Sequence, residues 1–366
     1  MKIPAYIKNL KPYVPGRPIE EIQKEYNLEK INKLASNENP LGPSPKAIEA
    51  MLAVTSGLNR YPDIGAIELR EKISQKFNIK IENIAVGNGS EGIMANILRS
   101  FLSDGDEMIT SKATFIGFQV LARGRANKFI EVPMLENEYK YDLQSILKHI
   151  NENTKIIYLC NPNNPTGTIF NKKEFDEFVK KVPESVLIIL DEAYFEYAES
   201  FPEYPDSLKY RLDNVITLRT FSKIYGIAGA RIGYGFGNSE LIETLMKVKL
   251  PFEPSNLAQS GAIGALDDVE FINKSKELNK SGYKYLINEL EKISEKKNFK
   301  IIPSYANFLM LDLGTQDRVN NINNSLLKEG VIIRPLIAFG LPHCIRITMG
   351  LDEENKAFIE SFKKYI

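Results

Sequence analysis

The sequence predicts an α/β protein: a mostly parallel mixed sheet flanked by helices, completed by a smaller α+β domain. Three observations carry that prediction. Short apolar runs alternate with helical segments from about residue 84 to residue 235, as strands covered on both faces by crossover helices must. A glycine turn, Gly87-Asn88-Gly89-Ser90-Glu91, joins the first of these runs to a helical pattern. The alternation then stops at Pro251-Phe252-Glu253-Pro254. A length of 366 residues suits about two domains with ample core. The expected division is an arm over residues 1–45, a large domain over 46–250, and an interdomain helix with a small domain over 251–366.

Taken in order, residues 1 to about 45 are rich in Pro, Asn and Gly and lack long periodic runs, so they read as an ordered arm. Leu69, Ile73 and Phe77 recur every four residues after Tyr61-Pro62 and predict an amphipathic helix. Ile84–Val86 is a short strand, followed by the glycine turn and a helix marked by Ile93, Ile97 and Phe101. Further strands are expected near Glu107–Thr110, Phe129–Val132, Lys155–Cys160, Val186–Leu190, Val215–Arg219 and Ala230–Gly235. Helices lie between most of them, notably Lys172–Lys181. Beyond Pro254 come a long helical stretch to about Lys297, a strand Phe308–Leu311, and a helix near Ile322–Glu329. Strands Val331–Arg334 and Cys344–Met349 and a final helix close the chain, and the arm is expected to complete this smaller domain.

Composition narrows the function. Lys plus Arg and Asp plus Glu both number 47, so there is no basic field to attract nucleic acid or an anionic membrane. The longest apolar runs, such as Val186–Leu190, are five residues, too short to span a bilayer. Met1 to Arg17 has no hydrophobic stretch of the kind a signal peptide needs. Cys160 and Cys344 cannot form a disulfide framework, and Cys160 ends an apolar run as a small buried hydrophobe. His149 and His343 lie far apart, with no Cys or acid cluster read near either, so no metal pattern emerges. A reduced, cytoplasmic enzyme fits best.

The chemistry lies in three motifs at the carboxyl ends of predicted strands, where open α/β sheets bind ligands. They are Asn161-Pro162-Asn163-Asn164-Pro165-Thr166-Gly167, Asp191-Glu192-Ala193-Tyr194, and Thr220-Phe221-Ser222-Lys223 with Arg231 eight residues on. Each alone has a plain explanation: a turn, a strand end, a surface lysine. Together they suit a phosphorylated aldehyde cofactor. Lys223 can form an imine, while Ser222 and Arg231 hold the phosphate with the backbone N–H groups at Gly89, Ser90 and Glu91. Asp191 can pair with a ring nitrogen, and Asn164 and Tyr194 can hold a phenolic oxygen. The cofactor implied is pyridoxal phosphate.

These residues resemble the fold-type I pyridoxal-phosphate enzymes, whose fold is that of aspartate aminotransferase. The likeness covers nearly the whole chain. Ser36-Asn37-Glu38-Asn39-Pro40 is shared by several related aminotransferases. Pro12-Tyr13-Val14-Pro15-Gly16 points more narrowly to the histidinol-phosphate aminotransferases. The resemblance implies that Lys223 bonds the cofactor and later moves the substrate proton, and that Asp191 keeps the pyridine nitrogen protonated. It further implies that Phe115 stacks on the ring and that Tyr61 reaches a phosphate in the neighbouring subunit of a homodimer. Arg346 would fork onto a substrate anion, and Arg334 and Tyr13, with Asn164, would complete the substrate site. The implied reaction exchanges the amino group of histidinol phosphate with 2-oxoglutarate, giving imidazole-acetol phosphate and glutamate in histidine biosynthesis.

Two features depart from the pattern. Glu253-Pro254-Ser255 stands where many members carry Asn-x-Asn, and Phe115 stands where some carry Tyr. They leave open a related aromatic amino-acid aminotransferase, and a lyase of the threonine-phosphate decarboxylase kind.

Overall fold

The computed structural model describes residues 1–8, 10, 17–125 and 127–366. In chain order its strands are β1 (Asn32–Lys33), β2 (Ile84–Gly87), β3 (Glu107–Ser111), β4 (Lys128–Val132), β5 (Thr154–Cys160), β6 (Leu187–Asp191), β7 (Val215–Thr220) and β8 (Gly233–Phe236). They continue with β9 (Lys300–Ile302), β10 (Phe308–Asp312), β11 (Val331–Ile332), β12 (Arg334–Pro335) and β13 (Cys344–Thr348). Seven of them form one mixed sheet in the order β2-β8-β7-β6-β5-β3-β4. All run parallel except β8, which is antiparallel to both neighbours. Strands β5 and β6 are almost wholly buried, as their unbroken Ile/Leu runs require when helices cover both faces. Two apolar clusters, one with Phe118 and Tyr158 and one with Phe175 and Phe178, are built against this sheet.

The second sheet has the order β12-β13-β10-β9 and is antiparallel throughout. Its apolar side packs on the helices Val269–Lys297, Gln316–Lys328 and Asp352–Tyr365 through residues such as Leu286, Leu326, Ile347 and Phe358. The arm joins this region directly, because β1 pairs in parallel with β11.

The alternating plan is as the sequence predicts, and the differences are local. The arm holds an eight-residue helix, Ile19–Tyr26, that its composition concealed. Ile19, Ile22 and Tyr26 supply the helical spacing and pack with Ala35, Leu327 and Ile332. The expected strand over 230–235 begins only at Gly233, because Ala228–Ala230 is a 3₁₀ turn and Arg231 takes φ +53°. The expected strand over 331–334 is two strands in different sheets, parted at Ile333. The long helical stretch after Pro254 is two helices, Asn256–Leu266 and Val269–Lys297, the second capped by the Asp268 side chain on the Phe271 N–H. No helix among the described residues is long and apolar enough to cross a membrane.

Candidate active site

The carboxyl ends of β2, β3, β5, β6 and β7 converge on one cavity of about 150 Å³. Ser90, Glu91, Phe115, Asn164, Asp191, Tyr194, Ser222, Lys223 and Arg231, named from the sequence, all line it. A larger hollow of about 610 Å³ lies between residues 74–83 and 207–215 and contains none of these groups.

At the bottom of the cavity lies Asp191, 2 % exposed and the last residue of β6. Its Oδ2 accepts from the Tyr158 hydroxyl at 2.7 Å and its Oδ1 from the Ala193 N–H at 3.1 Å. Burial pushes the carboxyl up to about 6, while those two donors pull it back. A cation set against it would lower it again. Tyr158 was not anticipated. Its signal was a hydroxyl within the apolar run Ile156–Cys160, two residues before Cys160, which pairs in register with Asp191.

Lys223 lies just past β7 and its Nζ donates to the Ser36 carbonyl at 3.4 Å. Burial, then the charge of Arg346, lowers its pKa from 10.5 to about 8, against the opposing pull of Glu38 and Asp191. Beside it Tyr194 is 1 % exposed, and its oxygen accepts from Asn37 Nδ2 at 2.8 Å. Burial raises this phenol, so it keeps a proton that it can donate to an oxygen in the cavity. Asn37 is a second residue without an assigned role beforehand. It ties Tyr194 to the small sheet, since its N–H donates to Thr348 Oγ1 at 2.9 Å.

The opposite end is suited to an anion. The helix Gly89–Phe101 starts there with no side-chain cap, so its first N–H groups face the cavity end. Gly89 has φ +71°, and a Cβ on it would meet Arg231 Nη2 at 2.8 Å. Arg231 donates to Ser222 Oγ at 3.4 Å and pairs with Glu91 at 3.3 Å. Glu253, at the position that departs from the family pattern, accepts from Asn88 Nδ2 at 2.8 Å and so steadies this helix start. Phe115 is held by its loop: Asn163 accepts from the Thr114 hydroxyl and donates to the Ala113 carbonyl.

Above the cavity Arg346 is 5 % exposed and donates to Asn164 Oδ1 and to the Ala35 carbonyl. Arg334 stands directly opposite Arg346 in the β12–β13 ladder, so the two guanidinium stems leave the same face of the small sheet. Tyr61 is not in this cavity: it is 78 % exposed and stacks on Phe252 with ring centroids 4.1 Å apart. Tyr13 lies outside the described residues.

One reading of the sequence needs correction. His343 does have neighbours of metal-binding types, for Cys344 follows it and β10 brings Asp312 alongside. The sequence separation of 31 residues between Asp312 and His343 hid that grouping.

The contents of the cavity fit an aromatic aldehyde bearing a phosphate: an anion end, a buried acid, a phenol donor, a flanking aromatic ring and a partly neutral lysine. Comparison with known proteins agrees. The family described as aminotransferase class I and II matches residues 29–362. The chain is 42% identical to a histidinol-phosphate aminotransferase of Caldicellulosiruptor saccharolyticus, covering 98% of this chain and 99% of that one. It is 40% identical to histidinol-phosphate aminotransferase 2 of Carboxydothermus hydrogenoformans, covering 98% and 97%. A solved histidinol-phosphate aminotransferase from Sinorhizobium meliloti, in complex with pyridoxal-5'-phosphate, superposes with a TM-score of 0.87 at 26% identity, covering 100% and 97%.

The lowered lysine gives a pH prediction. A pKa of about 8 leaves roughly a tenth of the Lys223 amine neutral at pH 7, against fewer than about one in a thousand for an ordinary lysine. Only the neutral amine attacks an aldehyde. The rate at which cofactor-free protein captures pyridoxal phosphate should therefore rise with pH around a midpoint near 8 and then level off. Stopped-flow absorbance checks this, and a rate still climbing towards pH 10.5 would show an unperturbed lysine.

Proposed function

The chain belongs to the class I and II aminotransferases, in the histidinol-phosphate aminotransferase branch, and on that footing we propose that it transfers the amino group of histidinol phosphate to 2-oxoglutarate. The products are imidazole-acetol phosphate and glutamate, and the work is a step of histidine biosynthesis in the cytoplasm. The observation that carries the reading is the set of strand ends that bring Lys223, the Asp191–Tyr158 pair, Tyr194 and the Arg346–Asn164 pair to one cavity.

Pyridoxal phosphate, when bound, would supply an aldehyde carbon that carries the amino group between half-reactions and a ring that withdraws electrons. The chain's own groups do the rest. Asp191 would pair with the ring nitrogen, and its burial would make a carboxylate there bind a cationic N–H strongly. Tyr194, held in place by Asn37, would donate a hydrogen bond to the ring oxygen. Phe115, which lines the cavity, would cover one ring face. The helix start at Gly89–Glu91, with Ser222 and Arg231, binds the cofactor phosphate. Lys223 Nζ holds the cofactor at rest and, once released, takes the proton from the substrate Cα.

Recognition of the substrate rests on anionic charge. Arg346 and Arg334, opposed across two strands, suit a phosphate ester in one half-reaction and a carboxylate of glutamate or 2-oxoglutarate in the other. Tyr13 completes this site in the same proposal. Support for histidinol phosphate over an aromatic amino acid comes from the relatives of 42% and 40% identity.

Steady-state kinetics test the substrate. Histidinol phosphate should exceed phenylalanine in kcat/KM, and glutamate should form without release of carbon dioxide. Arg334→Ala should lower kcat/KM for histidinol phosphate by roughly thirtyfold or more, the lower end of a loss of about 2–5 kcal/mol, and affect glutamate less. Equal losses for both substrates would contradict the division between the arginines.

The same proposal includes a homodimer with composite sites. What supports it is the position of Tyr61, exposed and away from its own cavity, among the exposed apolar residues Leu58, Ile64, Leu250 and Phe252. The segments around 60–64 and 249–256 are tied together by Lys249 donating to Ile64 O at 2.7 Å and Asn256 donating to Arg60 O at 3.2 Å. Lys223→Ala chains refolded with Tyr61→Ala chains should recover about a quarter of wild-type activity, because half the dimers are mixed and each has one intact site. No recovery would mean that Tyr61 serves its own chain.

A further inference from the structure

On the face of the small sheet opposite the one that packs on the helices Gln316–Lys328 and Asp352–Tyr365, three metal-binding types of side chain meet outside the amino-transfer cavity. Asp312 closes β10 and Cys344 opens β13, and the two are direct partners in the antiparallel ladder. Paired residues project to the same face, so the carboxylate and the sulfur are side by side. His343, one residue earlier, is fixed by its carbonyl accepting the Leu313 N–H at 2.9 Å. The ligand atoms of all three lie within 4.8 Å of one another.

A fourth donor, a phenol oxygen, comes from the turn between β4 and the helix Leu143–His149. Tyr139 has φ +55°, in a turn closed by the Leu135–Lys140 bridge, and its hydroxyl reaches this cluster. It donates to Asp312 Oδ2 at 2.7 Å, lies 3.1 Å from His343 Nε2, and is 3.9 Å from Cys344 Sγ. Asp312 is aimed by a further contact, its Oδ1 accepting the Gly314 N–H at 2.9 Å. That leaves Oδ2 turned to the cluster, the kind of outer support that metal-ligating carboxylates have.

The donor set is one imidazole nitrogen, one thiol sulfur, one carboxylate and one phenol oxygen. Imidazole nitrogen, sulfur and carboxylate are the ligands that zinc-class ions take in four-coordinate sites, while magnesium and calcium prefer oxygen alone. A tetrahedral ion with bonds of about 2.0–2.3 Å keeps its donors roughly 3.4–3.8 Å apart. The contacts from the Tyr139 hydroxyl, 2.7, 3.1 and 3.9 Å, bracket that spacing. Small side-chain shifts would close the set on an ion.

We propose that Asp312, His343 and Cys344, with the Tyr139 hydroxyl at the fourth corner, form a binding site for a zinc-class divalent ion. The site joins the turn at residues 135–140 to the small sheet. It lies on the strand that also carries Arg346, two residues beyond Cys344. It does not depend on the amino-transfer reading, since none of its ligands lines that cavity.

Cobalt(II) is the probe, titrated into the full-length, cofactor-loaded protein after removal of metal with a chelator. The expected result is one cobalt per chain, with the visible bands of a four-coordinate ion and a thiolate-to-cobalt charge-transfer absorption, both displaced by equimolar zinc. Cys344→Ser should abolish the charge-transfer absorption, and Asp312→Asn and His343→Gln should each weaken cobalt binding at least about tenfold. Wild-type protein that gives no charge-transfer absorption overturns the proposal whether or not the variants fold. So does a folded Cys344→Ser protein, checked by circular dichroism, whose cobalt spectrum matches wild type.

Discussion

A single buried carboxyl sets the terms for the rest of the site. Asp191 ends a strand whose five residues are all buried, so its charge has no water to lean on. Isolated there, it would shed its charge, and burial does move it up to about 6. Tyr158 and the Ala193 N–H hold it oriented, and in the proposed function a cationic ring nitrogen would be its charged partner. Acid and lysine need each other at a fixed separation. Adjacent strands β6 and β7 provide it, each presenting one group at its carboxyl end. A second buried contact braces those ends. Arg219, fully buried in β7, forks onto Glu192 at 3.0 and 2.7 Å, one residue beyond Asp191. Removing Arg219 would leave the Glu192 charge stranded in the interior, while Arg219 has a second partner in Asp206 at 3.1 Å.

The small sheet and the arm take part through contacts on the far side of the cavity. Arg346 bonds Asn164 from the large sheet and the Ala35 carbonyl from the arm. Asn37 links Tyr194 to Thr348. Arg346, Asn164 and Tyr194 therefore share the arm segment 35–37 and strand β13 as supports, although Arg346 lies more than a hundred residues from the other two. The charges of Arg346 and Arg231 also act on Lys223, adding to burial in lowering its pKa.

Much of this was legible in the sequence because its signals are local. The apolar runs of β5 and β6, the glycine turn before Ser90 and the motifs at Asn161, Asp191 and Thr220 each state their geometry within a few residues. What escaped depends on pairing across the fold. Tyr158 reads as one more buried strand residue until Cys160 is set against Asp191. Asn37 lies in a recognised stretch, yet its partners Tyr194 and Thr348 are 157 and 311 residues away. The break at Ile333 follows from two sheets competing for one segment, which no window of residues 331–334 can show. The grouping of Asp312 with His343 and Cys344 exists only because β10 pairs with β13.

The central claim is that Lys223 is the covalent anchor of a phosphorylated aldehyde set over Asp191. Reduction of the cofactor-loaded protein with borohydride, followed by digestion and mass spectrometry, tests it without reference to substrate. The account predicts a single modified peptide, carrying the pyridoxyl phosphate mass on Lys223. A modification on any other lysine, with Lys223 left free, would contradict it.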